Sequence, residues 1–133
     1  MRFDRQADLY AIQQLKACYF RYLDTKAWGR WRSLFTDDLL FFMDDAALPS
    51  STTPQQTCGD GFVASVSTTL EKAVTVHQGH MPEIEFSGPD AATGIWAMYD
   101  WVDNPHLGFA IQGWGHYHEK YRREADGSCA SPS

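Results

Sequence analysis

The chain has 133 residues, enough for one compact domain with a real core and too few for two comfortable ones. Apolar residues make up 44% and aromatics 14%, which excludes the polar, aromatic-poor composition of a disordered chain. The net charge of -6 argues against a nucleic-acid partner, because phosphate backbones demand clustered Lys and Arg. Cys18, Cys58 and Cys129 stand far apart, so neither a disulfide framework nor a Cys-x-x-Cys site is suggested, and a reducing compartment fits. The N-terminus carries no apolar leader and no run approaches the ~20 apolar residues of a membrane span. The expectation is a cytoplasmic protein with no membrane partner.

In chain order, Leu9, Ile12, Leu15, Tyr19 and Tyr22 or Leu23 recur at steps of three and four, which predicts an amphipathic helix from Asp8 to about Leu23. Trp28, Trp31, Leu34 and Phe35 share a stripe and predict a second, short helix, so the chain opens with a helical hairpin. The apolar run Leu39 to Met43 reads as a strand. The Ser-, Thr-, Pro- and Asp-rich segment 44–60 reads as a long loop, and Phe62, Val63, Val66 and Leu70 predict a third helix from Gly61 to Glu71.

Strands follow: Ala73 to Gln78, Met81 to Phe86, Ala91 to Val102 and Gly108 to Arg123, with turn chemistry at 87–90 and 102–108. Helices first and antiparallel strands afterwards predict an α+β domain, helices on one face of a curved sheet. Gly113 and Gly115 inside the last strand suggest bulges or a bend. Strict alternation places Gly94, Trp96, Met98 and Asp100 on one face of their strand, and Thr75 with His77 on one face of theirs. In the last strand it sets Trp114, His116 and His118 against Tyr117, Glu119 and Tyr121. A concave sheet covered by helices could bring His77 and Asp100 into one aromatic-lined cavity, with Tyr19 and Asp24 arriving from the helices; spacing permits this without demanding it.

Four stretches in order, CYFRYLDTKAW (Cys18 to Trp28), HQGHMPEI (His77 to Ile84), ATGIWAMYD (Ala92 to Asp100) and GHYHEKYRR (Gly115 to Arg123), give the chain a likeness to a known family. It resembles the SnoaL-like proteins of the nuclear transport factor 2-like superfamily, nearest in motif to lyases of the bile-acid 7α-dehydratase and scytalone dehydratase types. The resemblance spans Ala7 to Gly127 and implies a cone-shaped curved antiparallel sheet around an apolar pocket closed by the N-terminal helices. It implies a single domain over residues 1–127, with 128–133 an irregular tail that does not supply the family's final strand. It also implies a catalytic set of Tyr19, Asp24, His77 and Asp100, no cofactor, and a homodimer or homotrimer.

The residue types suit proton abstraction. A carboxylate fixes the tautomer of a neighbouring imidazole, whose ordinary pKa near ~6.5 leaves it able to accept a proton at neutral pH. Asp24 with His77 is the candidate dyad, Tyr19 the acid or oxyanion donor, and Asp100 a group that orients His77 or a water. Phe20, Trp96, Met98 and Trp114 are candidate substrate-lining residues for a hydrophobic, cyclic, hydroxylated or ketonic small molecule. For each the plain alternative is structural: an acid at a helix end caps or pairs, and a Tyr on an apolar stripe is usually core. His77, His80, His116, His118 and Glu124 include ligand types for zinc or iron, but His77 and His80 fall on opposite faces unless Gly79 is bulged, so no metal is expected. The expected activity is a cofactor-independent lyase or isomerase. A non-catalytic binding module and a polyketide-type cyclase are the alternatives.

Overall fold

The computed structural model describes residues 4–43 and 54–124, and the backbone of 129–130. Helix α1 spans Arg5–Asp24, with the Asp4 side chain accepting from the Ala7 amide at 3.0 Å and Asp8 in its first turn. Both acids suit the unpaired N–H groups and positive dipole end found there. The helix stops where Lys26 adopts a left-handed backbone (φ 58°) and the amides of Lys26 and Ala27 bond back to the carbonyls of Leu23 and Tyr22. Asp24 is therefore the last helical residue. Helix α2 is Trp28–Arg32, and α3 is Gly59–Leu70, starting two residues earlier than the apolar pattern suggested because Cys58 Sγ accepts from the Gly61 amide.

These helices join through one cluster of Leu23, Trp31, Phe35, Leu39 and Phe62, in which Trp31 has no exposed surface. Trp31, Phe35 and Phe62 meet pairwise with centroids 5.0 to 5.2 Å apart, the spacing at which aromatic pairs add to plain area burial. The strand expected at Leu39 to Met43 is not a ladder among the described residues. Phe41 makes a single antiparallel bridge to Gln56, and side-chain burial of Leu39 anchors the segment instead. Most of the predicted loop, residues 44–53, lies outside the described residues.

The strands β1 (Val74–Phe86), β2 (Ala91–Asn104), β3 (Phe109–Arg123) and β4 (Cys129–Ala130) form one antiparallel sheet in sequential order. The two short strands read before and after Gly79 are one strand, interrupted by a register shift between His80 and Glu83 where Met81 takes φ 39°. The irregularity sits there and not at Gly113 or Gly115, which pair in unbroken register with Asp100 and Met98. The tail expected to be irregular contributes β4, with Cys129 and Ala130 paired to Arg123 and Arg122. Its two peptides satisfy backbone groups that an open edge would leave bare.

Residues paired across an antiparallel ladder share a face. The register therefore puts Thr75, His77 and Gly79 on the same side as Val102, Asp100 and Met98, and Trp96, Gly94 and Ala92 on the same side as Tyr117, Glu119 and Tyr121. This inner face receives α1: Ile12 packs on Ala92, Trp96 and Tyr121, and the ring of Phe20 lies where a Cβ on Gly79 would stand, 2.7 Å from its Cζ. The outer face carries Val76, Tyr99, Trp101, Trp114, His116 and His118.

Candidate active site

Asp24 and His77, 53 residues apart in sequence, meet where the end of α1 lies over β1. The Asp24 Oδ1 to His77 Nδ1 distance is 2.7 Å. The same carboxylate accepts from the His77 backbone amide at 3.0 Å through Oδ2 and from the Thr75 hydroxyl at 2.9 Å through Oδ1. Three contacts from alternate residues of one strand fix the carboxylate in place, and bonds to a charged acceptor are about twice as strong as neutral ones. An Nδ1–H held by Asp24 leaves Nε2 with its lone pair free, the form of histidine that accepts a proton. Thr75 shares its face with His77, so the alternation carried the signal, although the residue type alone does not mark it as part of the site.

Asp100 stands directly across the ladder from His77 and receives the Tyr117 hydroxyl at 3.4 Å. Burial raises its pKa above the ordinary carboxylate value, against the opposing pull of His77, Tyr117 and Lys16. Tyr19 lies in a ring of aromatics, its centroid 5.4 Å from Phe20, 5.5 Å from Trp31 and 5.9 Å from each of Phe35 and Tyr117. Burial first, and then the charges of Glu119 and Asp100, lift its pKa well above the usual phenol range, while hydrogen bonding with Tyr117 lowers it somewhat. Tyr117 is raised as well, again chiefly by burial. Both shifts favour the neutral hydroxyl over the phenolate.

A buried ion pair beneath them has no counterpart in the residue-level expectations. Lys16, on the apolar face of α1 and 2% exposed, pairs its ammonium with Glu119 of β3. The ammonium stands 3.6 Å from the Tyr117 ring centroid, 4.0 Å from that of Tyr19 and 4.8 Å from that of Phe20. Burying an ammonium costs several kcal/mol, and a desolvated cation over an aromatic face recovers about 2 kcal/mol. The rings therefore share with Glu119 the task of holding the charge. Burial still outweighs Glu119 and Asp100, and the Lys16 pKa is lowered. Glu119 also accepts from the Tyr121 hydroxyl at 2.7 Å, which in turn accepts from the Trp96 indole at 2.8 Å. A lysine on a helical apolar stripe facing an inward glutamate two strands away was the available clue.

A cavity of about 850 Å3 opens between α1, the segment 34–42 and the β3 edge, lined by Lys16, Tyr19, Tyr117 and Glu119 and by apolar residues including Phe35 and Leu39. Of the eight expected site residues only Tyr19 lines it. Asp24 and His77 close against each other beside it, with side chains 24% and 9% exposed. Trp96 does not face the cavity, because its indole is spent in the core on Tyr121. Trp114 sits on the outer face, 72% exposed and against Tyr99, because strand alternation turns it away from Tyr117. Phe20 fills the space over Gly79, and Met98 lies against Gly115; neither reaches the cavity wall. Among the described residues no three His, Cys, Asp or Glu side chains converge to hold a metal: His77 pairs inward and His80 outward, while His116 and His118 face solvent. Among them, too, no helix is long and apolar enough to cross a membrane.

Residues 4–128 match the model of the SnoaL-like domain. The chain belongs to the SnoaL-like family. Solved structures share its fold, which is of the nuclear transport factor 2-like type. The hexachlorocyclohexane dehydrochlorinase LinA-type3 from Novosphingobium barchaimii LL02 superposes with a TM-score of 0.78 at 21% identity, over 96% of this chain and 84% of that one. A scytalone dehydratase candidate from Novosphingobium aromaticivorans DSM 12444 gives 0.79 at 15%, covering 96% and 81%. ActVI-ORFA from Streptomyces coelicolor gives 0.71 at 17%, covering 95% and 93%. At these identities the likeness establishes the fold.

Proposed function

We propose that this SnoaL-like protein is a cofactor-independent lyase of the dehydratase type, acting on a hydrophobic hydroxylated or ketonic small molecule. The observation that carries the reading is the Asp24–His77 contact at 2.7 Å, with the carboxylate further held by Thr75 and by the His77 amide. In this reading Asp24 keeps the proton on Nδ1, and Nε2 removes a proton next to an activating oxygen function. The negative charge of Asp24 then stabilises the imidazolium. Tyr19, neutral and lining the cavity, donates its hydroxyl to the oxygen that gains charge or departs as water. Tyr117 and Asp100 connect this donor to the strand that carries His77. The substrate approaches from the cavity, past Tyr19 and Tyr117. Dehydrochlorinase and dehydratase among the similar structures support elimination chemistry as the class.

A second reading, a binding module without chemistry, is favoured by one specific feature: the cavity is not lined by Asp24, His77 or Asp100. A panel of apolar β-hydroxy ketones followed by ultraviolet absorbance separates the two. The lyase reading expects new conjugated product from the wild type, with turnover falling by about 10²–10⁴-fold in His77→Ala and in Asp24→Asn while ligand affinity is kept. Ligand binding with no product from any compound, and affinities changed by Tyr19→Phe alone, would favour the binding module.

A further inference from the structure

We propose that Lys16 is a positioning residue whose ammonium, standing on the ring faces of Tyr19 and Tyr117, sets where those two phenols direct their hydroxyls. The inference deepens the lyase reading and rests on it for the use of Tyr19 as a donor; the placement of the rings is independent of that reading. All the contacts lie between α1 and the inner face of the sheet. Lys16 precedes Tyr19 by three residues, so the two share a face of α1. Tyr117, Glu119 and Tyr121 alternate along β3 and share its inner face.

The ammonium is 3.6 Å from the Tyr117 ring centroid and 4.0 Å from that of Tyr19, and the two rings stand 75° apart with centroids 5.9 Å from each other. It therefore fills the angle between two nearly perpendicular phenols. The face of an aromatic ring carries negative charge, so each ring is drawn to present its face to the cation. A phenol oxygen lies on the long axis of its ring and its O–H lies in the ring plane. Holding the ring against the cation thus fixes both the oxygen and the direction of its proton. Glu119 pairs with the ammonium from the strand side, and its second oxygen accepts from the Tyr121 hydroxyl at 2.7 Å. That hydroxyl accepts from the Trp96 indole at 2.8 Å. The place of the cation is therefore set from the core around Ile12, Ala92 and Trp96.

A buried ion pair with only a structural task is often replaceable by apolar side chains of similar volume. What marks this pair is its neighbours. Both phenols serve the site: Tyr19 lines the cavity, and Tyr117 donates to Asp100 at 3.4 Å, across the ladder from His77. Without the cation, Phe20, Trp31 and Phe35 still hold Tyr19 in the core, but apolar contacts alone then set the plane of its O–H. Proton transfer depends on that direction, and a donor misplaced by about 1 Å can cost about 10²-fold in rate.

The test compares the full wild-type chain with the double variant Lys16→Met, Glu119→Gln, which removes both charges together and keeps an acceptor for Tyr121. Urea denaturation checks that the variant folds. The substrate probe is the aldol adduct of benzaldehyde and acetone, whose loss of water is read as absorbance of the conjugated ketone. The double variant is expected to lose about 10²-fold in kcat with KM nearly unchanged, the split produced by a group that acts only in the transition state. A merely structural pair would leave kcat per folded molecule unaltered. Ring signals of 13C-tyrosine-labelled protein give a second readout that needs neither substrate nor activity. Tyr19 and Tyr117 should flip slowly in the wild type, and faster and at altered shifts in the double variant. If the variant does not fold, the wild type alone decides: the ε-methylene protons of Lys16 must be displaced upfield by the rings, and undisplaced ones overturn the proposal. A folded double variant with unaltered tyrosine signals, or with altered signals and full turnover, also overturns it. No product from the wild type, with tyrosine signals altered in the double variant, defeats the lyase reading and leaves the positioning of the rings standing.

Discussion

Asp24 ends a helix, and there an acid is an unfavourable neighbour for the negative dipole end unless something compensates. The compensation is visible: a hydroxyl, an amide and an imidazole all converge on its two oxygens. Asp100, across the ladder, is held differently. Burial raises its pKa, so the folded chain keeps its proton to a higher pH than the unfolded chain does. The stability this confers is complete below the unfolded carboxylate range and is lost as pH rises through the folded value. Asp100→Asn, which does not ionise, is therefore expected to raise the denaturation midpoint at neutral pH and to leave it nearly unchanged near pH 3. A midpoint that falls at pH 7 would show that the ionised carboxylate supports the fold. Tyr19, Asp24, His77 and Asp100 could be singled out before the structure because the family resemblance rests on motifs that contain them, and the structure brings Asp24 and His77 into contact. Lys16 and Glu119 could not be singled out, because a charged residue on an apolar stripe becomes meaningful only when its partner from a distant strand is known.

At the scale of elements, periodicity read the helices and strands well and read their joints poorly. α1 extends from Arg5 to Asp24 where apolar spacing supported Asp8 to Leu23, because Asp4 caps it and Lys26 turns the chain out of it. The β1 irregularity belongs to Met81, not to a glycine, so composition misdirected the search for it. Gly79 has a separate use, since it lets Phe20 lie against the strand between His77 and the bulge. Gly79→Ala sets a methyl 2.7 Å from the Phe20 ring, and overpacking of this kind typically costs about 1–3 kcal/mol. Thermal unfolding should show that loss, and Phe20→Leu in the same chain should recover part of it. If Gly79→Ala is neutral, the helix does not rest on β1 at that point. Phe20, Trp96, Met98 and Trp114 do not line the cavity, for a related reason. Alternation sorts side chains to a face, but two faces of one edge strand both border the open groove, while the middle strand's Trp96 is consumed by the core.

Among the described residues, two apolar clusters are bridged by α1: one among the helices around Trp31, the other between α1 and the sheet around Trp96. The ionisable network lies along the seam between them, from Asp24 and His77 through Asp100, Tyr117 and Tyr19 to Lys16 and Glu119. This placement gives the charges a low-dielectric surrounding in which each pairing counts for more than in water, and in which an unpaired member is costly. Lys16→Met, which leaves Glu119 without its cation, is expected to destabilise the chain by about 3–5 kcal/mol, measurable by urea denaturation. The double variant Lys16→Met, Glu119→Gln should be closer to the wild type. The α+β order of elements and the motifs sufficed to place the fold; the seam depends on side-chain meetings between α1 and β3 that sequence separation conceals.

The central claim is that Asp24 holds the Nδ1–H tautomer of His77 so that Nε2 can serve as the base. Imidazole nitrogen chemical shifts of 15N-histidine-labelled protein at alkaline pH measure this without any substrate. The account predicts a protonated Nδ1 and a bare Nε2 for His77, with that preference lost in Asp24→Asn. An Nε2–H tautomer, or one unaltered by Asp24→Asn, would contradict it.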